Sequence, residues 1–235
     1  MLCPIYMNLC HFEEHKTFVD RGLKREATAA LRAFIDSITN EADREKWVLE
    51  YLKSLAATEN LVVRHEIFED LVFPVLCKGY KDQDVESTVW LGRLSQNLYK
   101  CQRLHEQVES KAQFTFYKEA LSLDPSKHEV SRLLLVCYID FFRYSIHEWP
   151  AGVLYGMNGA SISECAEIRK DLVHAMALDE EGTYRQFLHE YAEKLDQYEQ
   201  RLGHNHCDDF ATSDNPRFTR LWLAGEINTS VTVAD

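Results

Sequence analysis

Apolar residues recur along most of this chain at intervals of three and four, the spacing that gathers them on one face of an α-helix. Between Lys24 and Thr39 that face is Ala27, Leu31, Phe34, Ile35 and Ile38. Asn40 is placed to cap a second helix, with Asp43 in the first turn, where the helix dipole favours a carboxylate. Trp47, Val48, Tyr51, Leu52 and Leu55 form its stripe. A third helix is expected from about residue 59 to 78, with Gly79 as its stop and Pro74 as a kink or early end. A fourth opens near Asp84 and carries Val85, Val89, Trp90, Leu94 and Leu98. A fifth ends in Phe116, Tyr117, Ala120 and Leu121, where Asp124-Pro125 breaks it. Ser126 and Glu129 then have capping-box spacing, in which each side chain satisfies an amide left open at the helix start. The helix they open is apolar nearly all round from Leu133 to Phe142, and such a helix is normally central.

Ser161 and Glu164 repeat the capping-box spacing ahead of Cys165, Ile168, Leu172, Ala175 and Met176. Asp179 is the expected cap of the last helix, whose stripe is Tyr184, Phe187, Leu188, Tyr191, Leu195, Tyr198 and Leu202, with Gly203 as its end. From His204 the chain turns polar and irregular. Only Asn228–Asp235 hints at a strand.

Residues 71–101 and 116–146 share an apolar pattern offset by 45 positions. Leu71 answers Phe116, Leu76 answers Leu121, Val85 answers Val130, Val89 answers Leu134, Leu94 answers Ile139 and Tyr99 answers Tyr144. Within the second copy, Tyr117, Ala120 and Pro125 have the spacing of aromatic, small residue and proline that closes a helical repeat, and this stretch resembles the end of a tetratricopeptide repeat. Asn97 and Lys100 stand where that family has an aromatic and a leucine. The resemblance implies antiparallel helical hairpins stacked on one another, a shape that binds proteins. The expected fold is therefore all-α: hairpins stacked as a degenerate tetratricopeptide-like array or bundle. Residues 1–203 are expected to form one helical domain, with an irregular segment, 204–235, docked on it.

Composition narrows the function. Nine glycines and five prolines in 235 residues are too few for many short strands and turns. A net charge of −12 argues against nucleic acid, whose phosphates require a basic footprint, and suits a basic protein partner. The seven cysteines are odd in number, scattered and without a CxxC pair. Most lie at apolar helix positions, as reduced core thiols do, so a cytoplasmic location is expected. The apolar start, residues 1–7, lacks a basic region and is soon followed by Glu13 and Glu14, so no secretory signal is expected, and no segment reaches the roughly 18–20 apolar residues that span a bilayer.

Chemistry-bearing motifs are few. His11-Phe-Glu-Glu-His15 matches the HxxEH pattern of inverted zinc peptidases: His11 and His15 share a helix face that can hold zinc, and Glu14 can activate water. His204-Asn-His-Cys-Asp-Asp209 is a second group of ligand types. No Gly-rich phosphate loop or nucleophile elbow occurs, and no histidine has a glutamate three residues before it, as di-iron bundles require. Trp149 to Ala160 holds three of the nine glycines beside large apolar side chains. It reads either as a long connector tucked over the core or as a binding loop with Trp149, Leu154, Tyr155 and Asn158 as contacts.

Two functions are compatible with these features. The favoured one is a non-enzymatic, acidic helical module that binds a protein partner and needs no cofactor. The alternative is a metal-dependent hydrolase using His11, Glu14 and His15.

Overall fold

The computed structural model describes the backbone of residues 4–58 and 61–205, and the side chains of 10–58 and 61–203. The segment expected to dock beyond the last helix lies, from residue 206, outside the described residues, as do His206, Cys207, Asp208 and Asp209 of the second ligand group. Helices dominate; the strands among the described residues are two residues long. The chain divides into two compact units, residues 1–108 and 109–235.

In the first unit, α1 (Pro4–Asp20) turns at Gly22 (φ +73°) into α2 (Lys24–Ser37), and the two helices pack together. The next helix, α3 (Glu41–Thr58), starts where the cap was expected: Asn40 Oδ1 accepts from Ala42 N–H at 2.9 Å. Phe12, Phe34, Trp47 and Tyr51 join the three helices in one aromatic cluster, with Phe12–Phe34 and Phe34–Trp47 ring centres 5.0 Å apart. Their edge-to-face and tilted geometry adds quadrupole attraction to burial.

The third predicted helix is built differently. It begins at α4 (His65–Ile67), passes through a π-helical segment (Phe68–Val72) and continues as α5 (Phe73–Lys81). Pro74 has no N–H for the carbonyl four residues back, and its ring crowds that carbonyl. The helix answers by widening just upstream, where Phe73 N–H bonds Phe68 O, five residues back. It neither ends at Pro74 nor stops at Gly79. It closes one turn later in a Schellman arrangement, with Gln83 N–H on Tyr80 O and Asp84 N–H on Gly79 O. Gly79 is small for another reason: a Cβ there would run into the side chain of Ser87, 2.8 Å from its Cβ.

Asp84 caps α6 (Val85–Arg93), accepting from Ser87 N–H at 2.7 Å. The expected fourth helix breaks at Leu94 into α7 (Ser95–Tyr99), and α8 (Gln102–Glu106) follows.

The second unit opens with α9 (Gln113–Leu123) and α10 (His128–Ser145). No capping box forms at Ser126 and Glu129. Asp124 takes both the N–H (3.0 Å) and the hydroxyl (2.6 Å) of Ser126, and α10 starts two residues later. α10 packs on α9 and α11, with Leu134, Tyr138, Ile139 and Phe142 buried. It is less enclosed than its composition suggests, since Val136 is 45% exposed.

A two-stranded hairpin follows, Leu154–Tyr155 (β1) against Asn158–Gly159 (β2), with Leu154 opposite Gly159. Gly156 takes φ +64° at its turn, as a type II′ hairpin requires. α11 (Ile162–Leu178) carries the complete Ser161/Glu164 capping box. Asp179 Oδ2 accepts from Tyr184 N–H at 2.9 Å ahead of α12 (Arg185–Asn205), which runs past Gly203. Phe142 and Tyr191 meet at 4.5 Å in the core between α10 and α12.

Candidate functional site

His11, Glu14 and His15 lie on α1, with different surroundings. His11 Nδ1 pairs with Glu14 Oε2 at 3.2 Å, and both side chains are half exposed. His15 is 5% exposed and donates Nδ1–H to Ala27 O at 2.8 Å, which ties α1 to α2. Among the described residues these three do not gather ligand atoms within 4.8 Å of one another.

The predicted binding loop is the hairpin of the second unit. Its backbone is held from two helices. Tyr144 on α10 donates to Gly156 O at 3.0 Å, and Tyr198 on α12 donates to Ala160 O at 3.0 Å. Arg201 donates to Pro150 O at 2.6 Å while its guanidinium lies 4.7 Å from the Trp149 ring centre. Trp149 is thereby covered by a cation. Leu154 and Tyr155 are half-buried, the latter edge-on to Phe141 at 6.4 Å, and Asn158 is exposed. At the tip, Met157 is 70% exposed.

A groove of about 290 Å³ opens between the first half of α10 and the turn joining α11 to α12. Leu135, Val136, Leu178 and Tyr184 supply apolar lining, and Asp179, Glu180 and Glu181 are consecutive acids in its wall. Asp179 is occupied with Tyr184 N–H. Glu181 meets Arg132 at 3.5 Å with both side chains about three-quarters exposed. An ion pair so well solvated is worth little, so the acidic wall keeps most of its charge. Periodicity had placed Leu135, Val136 and Tyr184 on buried stripes, and their part in an open groove was not legible.

A polar cluster joins α9, α10 and α11. Tyr138, fully buried, has its hydroxyl 2.9 Å from His174 Nδ1 and 3.3 Å from Asp171 Oδ1. Lys118 Nζ is 3.3 Å from the same carboxylate oxygen and 4.0 Å from the Phe114 ring centre. Burial, then the Lys118 ammonium, pushes the His174 pKa down. Burial, then the Asp171 charge, pushes the Tyr138 phenol far up, so it acts as a fixed proton donor. Perturbed groups of this kind occur in active sites and in structural networks alike.

Two cysteines are removed from nucleophilic roles. Burial pushes the Cys137 thiol to about 12 and the Cys165 thiol to about 11, so both stay protonated at neutral pH.

One group of metal-ligating types is brought together among the described residues. His65, Glu69 and Cys101, all half-buried, present ligand atoms within 4.8 Å of one another. Glu69 Oε2 meets His65 Nε2 at 3.1 Å, and Oε1 meets Arg103 Nη2 at 2.5 Å. The His-x-x-x-Glu spacing of His65 and Glu69 is visible in the sequence, but Cys101 lies far along the chain and has no local signal.

No protein family, curated protein or solved structure matches the chain. No helix of the described residues is long and apolar enough to cross a membrane.

Proposed function

We propose that this chain is a non-enzymatic interaction module whose second unit binds a basic protein partner. The observation that carries the reading is the groove beside α10: an apolar lining next to Glu180 and Glu181 suits a lysine or arginine side chain, stem against Leu135 and Leu178, charge against the carboxylates. The distribution of charge supports it. Residues 109–235 carry 12 lysines and arginines against 21 aspartates and glutamates, so most of the net −12 falls there. A potential of that sign steers a basic partner and speeds its encounter.

The same reading takes the two echoing segments as degenerate copies of one tetratricopeptide-like helical hairpin. Each segment is a helix, a turn and a helix, one in each unit, although the second helix of the first copy is broken at Leu94. Leu71 and Phe116, Val89 and Leu134, and Leu94 and Ile139 are buried in both copies. Tyr117 and Ala120, two of the family-like positions, are buried as well.

The test is affinity capture from the source lysate with the full chain and with Glu180→Lys/Glu181→Lys, at low and at high salt. The expected result is a basic protein retained by the parent chain at low salt, released at high salt and not retained by the variant. Capture that is indifferent to the two charge reversals, or no capture at either salt, overturns the reading.

A further inference from the structure

Three side chains with the donor set of a zinc site converge in the first unit, and the fold holds the backbone of each before any ion arrives. His65 is the first residue of α4, and Glu69 follows one turn later inside the π-helical segment. π-Helical widenings of this kind frequently accompany functional sites, because they re-aim side chains that a regular helix would space differently. Cys101 arrives from the other side. Its N–H bonds Leu98 O at 2.9 Å, and its carbonyl accepts from Leu104 and His105 N–H, both at 3.0 Å. Its extended backbone (φ −136°, ψ 91°) is therefore fixed between α7 and α8. A buried bond from Asn97 Nδ2 to Val63 O, 2.9 Å, fastens α7 to the strand of chain that leads into His65. The two halves of the group are thus stapled together by a contact that involves none of the three ligands.

One further observation points to an ion. Arg103, through its contact with Oε1 of Glu69, orients the carboxylate and leaves Oε2 toward Nε2 of the histidine. Metal-binding carboxylates are held by an outer hydrogen bond in just this manner.

We propose that His65, Glu69 and Cys101 form a binding site for a divalent ion of the zinc class. One imidazole nitrogen, one carboxylate oxygen and one thiolate make a donor set of mixed softness, which favours zinc or cobalt over magnesium or calcium. Binding forms a metal–sulfur bond, and the proton of the Cys101 thiol leaves to solvent. With that proton gone, Glu69 and Cys101 outweigh Arg103 by one negative charge, so the group as a whole still attracts the dication. Three protein donors leave one tetrahedral position for water or a donor from a ligand, the arrangement of exchangeable zinc sites rather than closed structural ones.

The experiment is a cobalt titration of the full, untagged, reduced chain without oxygen, followed by absorption. The expected result is one equivalent bound, with a near-ultraviolet thiolate-to-cobalt charge-transfer band and visible bands of tetrahedral cobalt, both abolished by zinc. Cys101→Ser removes the charge-transfer band, whereas Cys77→Ser and Cys165→Ser keep it. Glu69→Gln weakens cobalt binding by at least about tenfold and provides a second measurement should the serine variant fold poorly. No charge-transfer band in the parent chain, or a band unchanged in Cys101→Ser, overturns the assignment.

Discussion

The hydroxyl of Tyr138 and Nδ1 of His174 lie 2.9 Å apart where α10 packs on α11. The buried phenol keeps its proton and donates it to Asp171 Oδ1 at 3.3 Å, so its oxygen is free to meet the imidazole nitrogen. Burial and Lys118 both push the His174 pKa down, and Asp171 offsets only part of this. In the unfolded chain the ring binds its proton at the ordinary histidine value, so the unfolded state takes up more protons in the window just below it. The stabilisation is full above that ordinary value, about 6.5, and is lost as pH falls through the lower folded value. Melting temperatures measured from pH 8 to pH 5 should therefore fall less steeply in His174→Gln than in the parent chain. A ring-proton titration by NMR should place His174 below the ordinary value.

Gly79 and Gln83 predict opposite effects within one turn. Gly79→Ala puts a Cβ against Ser87, whose own Cβ is only 2.8 Å from that position. The backbone of α5 or α6 has to shift, at a cost of about 1–3 kcal/mol. Gln83 has φ +61° at the position after the helix end that glycine usually fills. Gln83→Gly relieves the left-handed strain and should stabilise by about 0.5–1 kcal/mol. Denaturant midpoints of the two variants check both signs in one series.

This pair also shows where sequence reasoning held and where it lost its footing. Stripes and some caps were legible: Asn40 and the Ser161/Glu164 box act as read, and the fourth helix opens at Asp84. What failed were features decided by competition between neighbours. Gly79 looked like a helix stop, but the stop depended on Gln83 tolerating a left-handed backbone. Ser126 looked like a cap, but the nearer carboxylate of Asp124 took its hydroxyl. Pro74 marks a kink or an early end in the sequence; the helix does not end there, and one extra residue in the turn before it accommodates the ring. Sites fared worse, because they assemble from distant segments. Nothing within several residues of Cys101 marks it as a neighbour of His65, and nothing near Tyr198 marks it as the anchor of the hairpin.

His15 separates a structural histidine from a zinc ligand. Its Nδ1–H bond to Ala27 O joins α1 to α2 without any metal. Removing a buried, hydrogen-bonded ring should lower stability by about 1–3 kcal/mol. The loss expected for His15→Ala is the same in chelator as in added zinc. A loss that appears only with zinc present would instead make His15 a ligand, and would favour the hydrolase reading of His11, Glu14 and His15.

Gly159 and Tyr198 offer a test of how the hairpin is seated. A Cβ added at Gly159 would lie 2.8 Å from the Tyr198 hydroxyl, and no other atom outside residues 158–160 stands within 4 Å of it. That same hydroxyl donates to Ala160 O, so it cannot move aside without breaking the bond that holds β2 to α12. Gly159→Ala should therefore destabilise in the parent chain, and Tyr198→Phe should destabilise by about 1 kcal/mol through the lost hydrogen bond. In the double variant the oxygen is gone and the added methyl has room. The cost of Gly159→Ala should then largely vanish, giving a coupling energy of about 0.5–2 kcal/mol in a double-mutant cycle. Strictly additive costs would mean that the hairpin does not rest on Tyr198 in solution.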